Sequence, residues 1–221
     1  MQLNAMSLVT MTAHLTTNQR LLDSAHAALN RIDAAPQAHR TILLGFICDT
    51  IHDLAATMPH VLVDLLPQVA RLGAPQAAYD TYCACKHRCS YGEQASILVG
   101  IVPYLQPGDT VFARALQAAR EFPISFARPA LLAGLACGIA EPEQGSLVDE
   151  ALSRARAESD AAEQAVALAY TLPYLPEIWR GPIAREASDR LSAWDLAADQ
   201  ADEVRAFIAP YLAAPSQAVR I

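Results

Sequence analysis

The sequence predicts an all-α protein, and three observations lead there. Alanine is abundant, with 44 residues, while glycine numbers 9 and aromatics make up 6% of the 221-residue chain. Alanine is the strongest helix former, whereas strands favour β-branched and aromatic residues. Hydrophobic residues reach 53% against 18% charged, enough for a buried core and incompatible with disorder over the bulk of the chain. Finally, the tripeptide Pro-Tyr-Leu occurs at Pro103-Tyr104-Leu105, Pro173-Tyr174-Leu175 and Pro210-Tyr211-Leu212. Weaker landmarks at Leu65-Leu66-Pro67 and Cys137-Gly138-Ile139-Ala140 complete a series at 67, 103, 138, 173 and 210, a spacing of 35–37 residues.

A second landmark keeps the same period: Ala115-Leu116, Ala151-Leu152 and Ala187 follow one another at intervals of 36. Two unrelated landmarks with one period mark an internal repeat, and a two-helix unit of this length stacked on its neighbours is an α-solenoid. The reading along the chain is therefore an N-terminal cap over residues 1–36 and a helical array over 37–221, together one domain.

In the cap, Leu21, Leu22, Ala25, Ala28, Leu29 and Ile32 are spaced as one face of a helix over Asn18–Ile32, with Thr17 or Asn18 as its cap. Within each repeat an apolar first helix runs into the proline landmark, as in Gln94–Leu105 and Glu163–Leu175. The landmark proline lacks an N–H and is expected to kink or end that helix. A second proline then opens the second helix, in Pro107-Gly108-Asp109, Pro142-Glu143-Gln144 and Pro176-Glu177. Proline and carboxylates both suit a helix start. Val111, Phe112, Ala115, Leu116 and Ala119 trace the apolar face of one such second helix. Pro215 opens a further second helix that the chain leaves undeveloped, as in a frayed tail or a longer array cut mid-unit.

The units resemble HEAT-type repeats, in the divergent form with a Pro-Tyr-Leu-Pro turn found in sensor arrays of bacterial signalling proteins. Leu172-Pro173-Tyr174-Leu175-Pro176-Glu177 carries the resemblance most closely, Val102-Pro103-Tyr104-Leu105-Gln106-Pro107 more loosely, over roughly Ile42–Tyr211. The resemblance implies that second helices line a concave binding face. Aligned by the period, one column of that face reads Tyr82, Ala118, Arg154 and Arg190, and another Ala78, Arg114, Glu150 and Glu186. Mixed charge of this kind suits a protein or peptide partner. Trp179, at a turn start, is assigned first to packing between units and second to anchoring a partner.

The heptapeptide Cys83-Ala84-Cys85-Lys86-His87-Arg88-Cys89 holds three thiols and an imidazole, the residue types of a structural zinc site. Aligned by the period it lies on a second helix, where Cys83 and His87 share one face and Cys85 and Cys89 the opposite one. Convergence on one ion requires that helix to be broken. Otherwise the thiols are small core residues. Asp49, His52 and Asp53 are read as the polar face of a helix whose apolar face is Ile47, Ile51 and Leu54. No phosphate loop, nucleophile elbow, dinucleotide or zinc-protease motif occurs, and no catalytic residue, metal or cofactor is assigned.

The net charge is −7 with 16 Lys+Arg, a poor basis for counterion-driven binding to nucleic acid. The longest apolar stretch, residues 129–140, is shorter than a membrane span, and Met1–Gln19 lacks the basic start and apolar core of a signal peptide. Five cysteines in a chain this size fit a reducing cytoplasm. The expected function is a non-enzymatic interaction scaffold or sensor in bacterial signalling or defence. Two alternatives stand beside it. One is an immunity or inhibitor protein that masks a toxin or effector, which acidity favours. The other is a HEAT-like alkylpurine DNA glycosylase, which acidity and sparse aromatics oppose.

Overall fold

A computed structural model describes residues 5–32, 34–192 and 198–213. Among them every regular element is helical: α1 Ala5–Ile32, α2 Gln37–Ala55, α3 Val61–Arg71, α4 Pro75–Cys85, α5 Tyr91–Ile101, α6 Thr110–Arg120, α7 Arg128–Ala136, α8 Glu143–Arg156, α9 Ala161–Thr171, α10 Glu177–Ser192 and α11 Ala198–Ala213. None is long and apolar enough to cross a membrane. The chain divides into two compact units, Met1–Ile101 and Val102–Ile221.

In the first unit, α1 packs on α2, α2 on α3 and α4, and α3 on α4 and α5. α3 is strongly two-faced: Val61, Leu62, Leu65, Leu66, Val69 and Ala70 are all buried. α2 turns Ile47, Ile51 and Leu54 fully inward and leaves Asp49, His52 and Asp53 outside, as its apolar spacing requires. The turn from α3 to α4 closes in the Schellman pattern, with Gly73 N–H donating to Ala70 O and Ala74 N–H to Val69 O. Gly73 takes φ +101, a conformation that a side chain would strain. Ser90 and Glu93 form a reciprocal capping box at the start of α5.

In the second unit, α7 packs on α6, α8 and α9, α9 on α8, α10 and α11, and α10 on α11. All residues from Pro129 to Ala136 are buried, which places α7 at the centre. Small residues let its surroundings approach. A Cβ on Gly134 would come within 2.7 Å of Val102 Cγ2, and one on Gly138 within 2.6 Å of Leu105 O. Asp160 caps α9 by accepting from Glu163 N–H at 2.8 Å.

The landmark prolines behave in two ways. At Pro103 and Pro173 the α-helix stops two residues earlier, at Ile101 and Thr171, and the chain continues in 3-10 turns over Val102–Tyr104 and Leu172–Tyr174. The missing proline N–H interrupts the helical ladder, and Leu105 and Leu175 close the tighter turn onto Val102 O and Leu172 O. Pro67 and Pro210, in contrast, lie inside α3 and α11. Pro67 is accommodated by Gly100, where a Cβ would fall 2.6 Å from the ring. The second-helix prolines stand just outside the helices they precede, with Pro142 at the N-cap of α8 and Asp109 taking that place for α6.

One boundary moves substantially. α1 begins at Ala5 and runs through Thr17 and Asn18. No proline or glycine interrupts residues 5–32, so the backbone ladder propagates past the expected cap. Asn18 reaches instead to Thr57, donating from Nδ2 to Oγ1 at 2.9 Å. Pro215 lies outside the described residues.

Candidate interaction surface

The charged columns expected on the second helices are held by ion pairs. Arg120, at the end of α6, forks onto Glu150 of α8, with Nε to Oε1 at 3.0 Å and Nη2 to Oε2 at 2.7 Å. Arg154, one turn along α8, also donates to Glu150 Oε1, at 3.1 Å from Nε. The arrangement recurs 36 residues later: Arg156 of α8 forks onto Glu186 of α10 at 2.8 Å through both nitrogens. Arg190 completes it, with Nη1 2.7 Å from Glu186 Oε1 and Nε 2.7 Å from Gln164 Oε1.

Each clasp places two guanidiniums on one carboxylate, leaving one formal positive charge in excess. Bidentate charge-assisted bonds are the strong class. The Arg120 hydrogen bond, followed by the Arg120 and Arg154 charges, holds Glu150 below the usual carboxylate range. Arg156, then Arg190, does the same for Glu186. Asp149 adds its field at Arg156. All four guanidiniums remain partly exposed.

Arg120 and Arg156 were not among the expected site residues. Their signal was present, since they stand 36 apart and each precedes its glutamate by 30. Two-column alignment overlooks them because they act across to the helix two further on.

Of the other expected residues, Arg114 is exposed on α6. Tyr82 is buried in the first unit, 6.0 Å from the Tyr79 ring and donating to Gln94 Oε1 at 3.4 Å. Trp179 is 39% exposed in the first turn of α10, beside Ile178 at 70%.

The cysteine-rich stretch is not one continuous helix, which corrects the expectation. α4 ends at Cys85, a 3-10 turn covers Lys86–Arg88, and Cys89 is extended. Gln94 secures the break by donating from Nε2 to Lys86 O and Cys89 O. Cys85 and Cys89 point into the core, with Cys85 Sγ 3.6 Å from His52 Nδ1, while His87 is exposed and accepts from Arg88. Burial pushes both thiols up, away from the reactive thiolate. Among the described residues, no three His, Cys, Asp or Glu side chains gather as metal ligands.

Aromatic side chains of the second unit form another feature. Tyr170 meets Phe207 edge-on at 5.8 Å, and Phe207 lies 6.3 Å from Tyr211. Burial, with Cys137, Tyr104 and Tyr211 within electrostatic reach, pushes the Tyr174 hydroxyl up to about 12. Tyr174 thus lies within electrostatic reach of the tyrosines of the other two Pro-Tyr-Leu landmarks. Scans against protein-family models, curated proteins and solved structures found no match for the chain.

Proposed function

We propose that this chain is a non-enzymatic protein-interaction module, a HEAT-like helical-repeat array acting as scaffold or sensor in a bacterial signalling or defence system. The observation that supports this reading is the clasp row. Arg120–Glu150–Arg154 and Arg156–Glu186–Arg190 recur at the period of the sequence landmarks. Carboxylates fix these partly exposed guanidiniums in advance, so a partner's acidic groups find donors whose side-chain entropy is already spent. Arg114, Arg154 and Arg190 supply the cationic contacts in this reading, Glu150 and Glu186 orient them, and Trp179 with Ile178 adds apolar area. A masking role toward a toxin or effector is the second reading, favoured by the net charge of −7.

The test uses the purified protein as bait beside R154Q/R190Q, checked for unchanged helicity by circular dichroism. The expected outcome is a stoichiometric protein partner held by the wild type and about tenfold more weakly by the variant, or about 1.4 kcal/mol. A bait that holds no protein, or one held equally by both, overturns the reading. Loss of the partner's own activity on binding selects the masking role.

A further inference from the structure

We infer that the corner between α9 and α11 is a receptor for a single arginine side chain presented by a partner protein. A cleft of about 90 Å³ opens there, lined by Val166, Ala169, Tyr170, Glu203, Val204 and Phe207. Tyr170 and Phe207 stand at an interplanar angle of 79°, so their rings form two walls of a corner. Both rings are exposed, at 43% and 39%. Glu203 is the cleft's single charged group, and no cation among the described residues pairs with it.

Two aromatic walls and one carboxylate are complementary to a cation, because ring faces carry negative potential and the carboxylate supplies the counter-charge. The other linings are apolar, and that decides between the two cationic side chains. A lysine ammonium is compact and strongly hydrated, so it loses more hydration than a guanidinium on entering an apolar lining. An arginine guanidinium is weakly hydrated, stacks flat on an aromatic ring and offers two parallel N–H donors to one carboxylate. The cleft's volume is that of a few waters, the scale of one side-chain head group. The overall negative charge steers a basic partner toward the site. The corner is separate from the clasp residues, so the inference stands or falls independently of them.

The experiment titrates ¹⁵N-labelled protein with acetyl-Gly-Arg-Gly-amide at constant ionic strength and follows amide shifts. Saturating shifts confined to residues 166–170 and 203–207 are expected. The lysine counterpart should bind at least about threefold more weakly, and the isosteric, uncharged citrulline peptide should not saturate. E203Q and Phe207→Leu should each weaken the arginine peptide by about threefold or more, with unchanged circular dichroism. Glu203 is exposed, so E203Q keeps the test valid if Phe207→Leu disturbs packing. Shifts that never saturate, shifts spread over acidic residues elsewhere, equal response to lysine, or wild-type behaviour of E203Q would each overturn the inference.

Discussion

At the scale of single residues, close approach decides more than chemistry does. Gly45 and Gly100 both lie inside helices with ordinary backbone angles, yet their surroundings differ. Nothing lies within 4 Å of a Cβ built on Gly45, while one on Gly100 would meet Pro67 Cγ at 2.6 Å. Gly45→Ala should therefore stabilise the protein by about 0.5–1 kcal/mol through reduced backbone entropy of the unfolded chain. Gly100→Ala should cost about 1–3 kcal/mol, because a proline ring cannot swing away. Urea unfolding of the two variants measures the opposite signs, and a Gly100→Ala protein as stable as the wild type would show that the contact is not tight. The same residue scale explains the heptapeptide at 83–89. Its ligand-type side chains are parted because Cys85 and Cys89 serve the core while His87 serves the surface.

At the scale of elements, the clasps act as fasteners between alternate helices, α6 to α8 and α8 to α10. Their contribution depends on pH with a definite sign. Folding lowers the carboxyl pKa of Glu150 and Glu186 from 4.5. The stabilisation is thus fully present above that value and is lost as pH falls through the folded values. Thermal midpoints should fall between roughly pH 5 and 3, and E150Q/E186Q should fall less steeply over that window. At neutral pH each neutralisation should cost about 1 kcal/mol, since the arginine partners are partly exposed. Equal acid slopes for wild type and variant would mean that other carboxylates carry the transition. Helix ends are secured more locally, by the Ser90–Glu93 box and by Asp160.

For the whole molecule, the excess of negative charge sets the broad preferences. A duplex approaching a protein of net charge −7 gains too little counterion release to bind, because each clasp carries only one positive charge beyond its carboxylate. Fluorescence anisotropy with labelled duplex and single-stranded DNA should show no measurable affinity at physiological salt. Sub-micromolar binding that falls steeply with added salt would favour the glycosylase alternative and displace the interaction module.

The helical class and the helix ends at Pro103 and Pro173 are legible in the amino-acid order, because those depend on short-range physics. Alanine content, 3.6-residue apolar spacing and proline placement act within a turn or two. Hence Ile47, Ile51 and Leu54, or Val111, Phe112 and Ala115, are buried as their spacing requires. Periodicity also marked Glu150, Arg154, Glu186 and Arg190 as related positions. Tertiary structure alone decided what those positions do, since the partners Arg120 and Arg156 come from the helix two before, 30 residues earlier. Only tertiary structure separated Pro67, seated against Gly100, from Pro103 and Pro173, which end helices with the same local signal. It also buried Tyr82 and assembled Tyr170, Glu203 and Phe207 into one corner. Such outcomes depend on which surfaces meet across long stretches of chain, and a repeat period states that units are alike without stating how their side chains interlock.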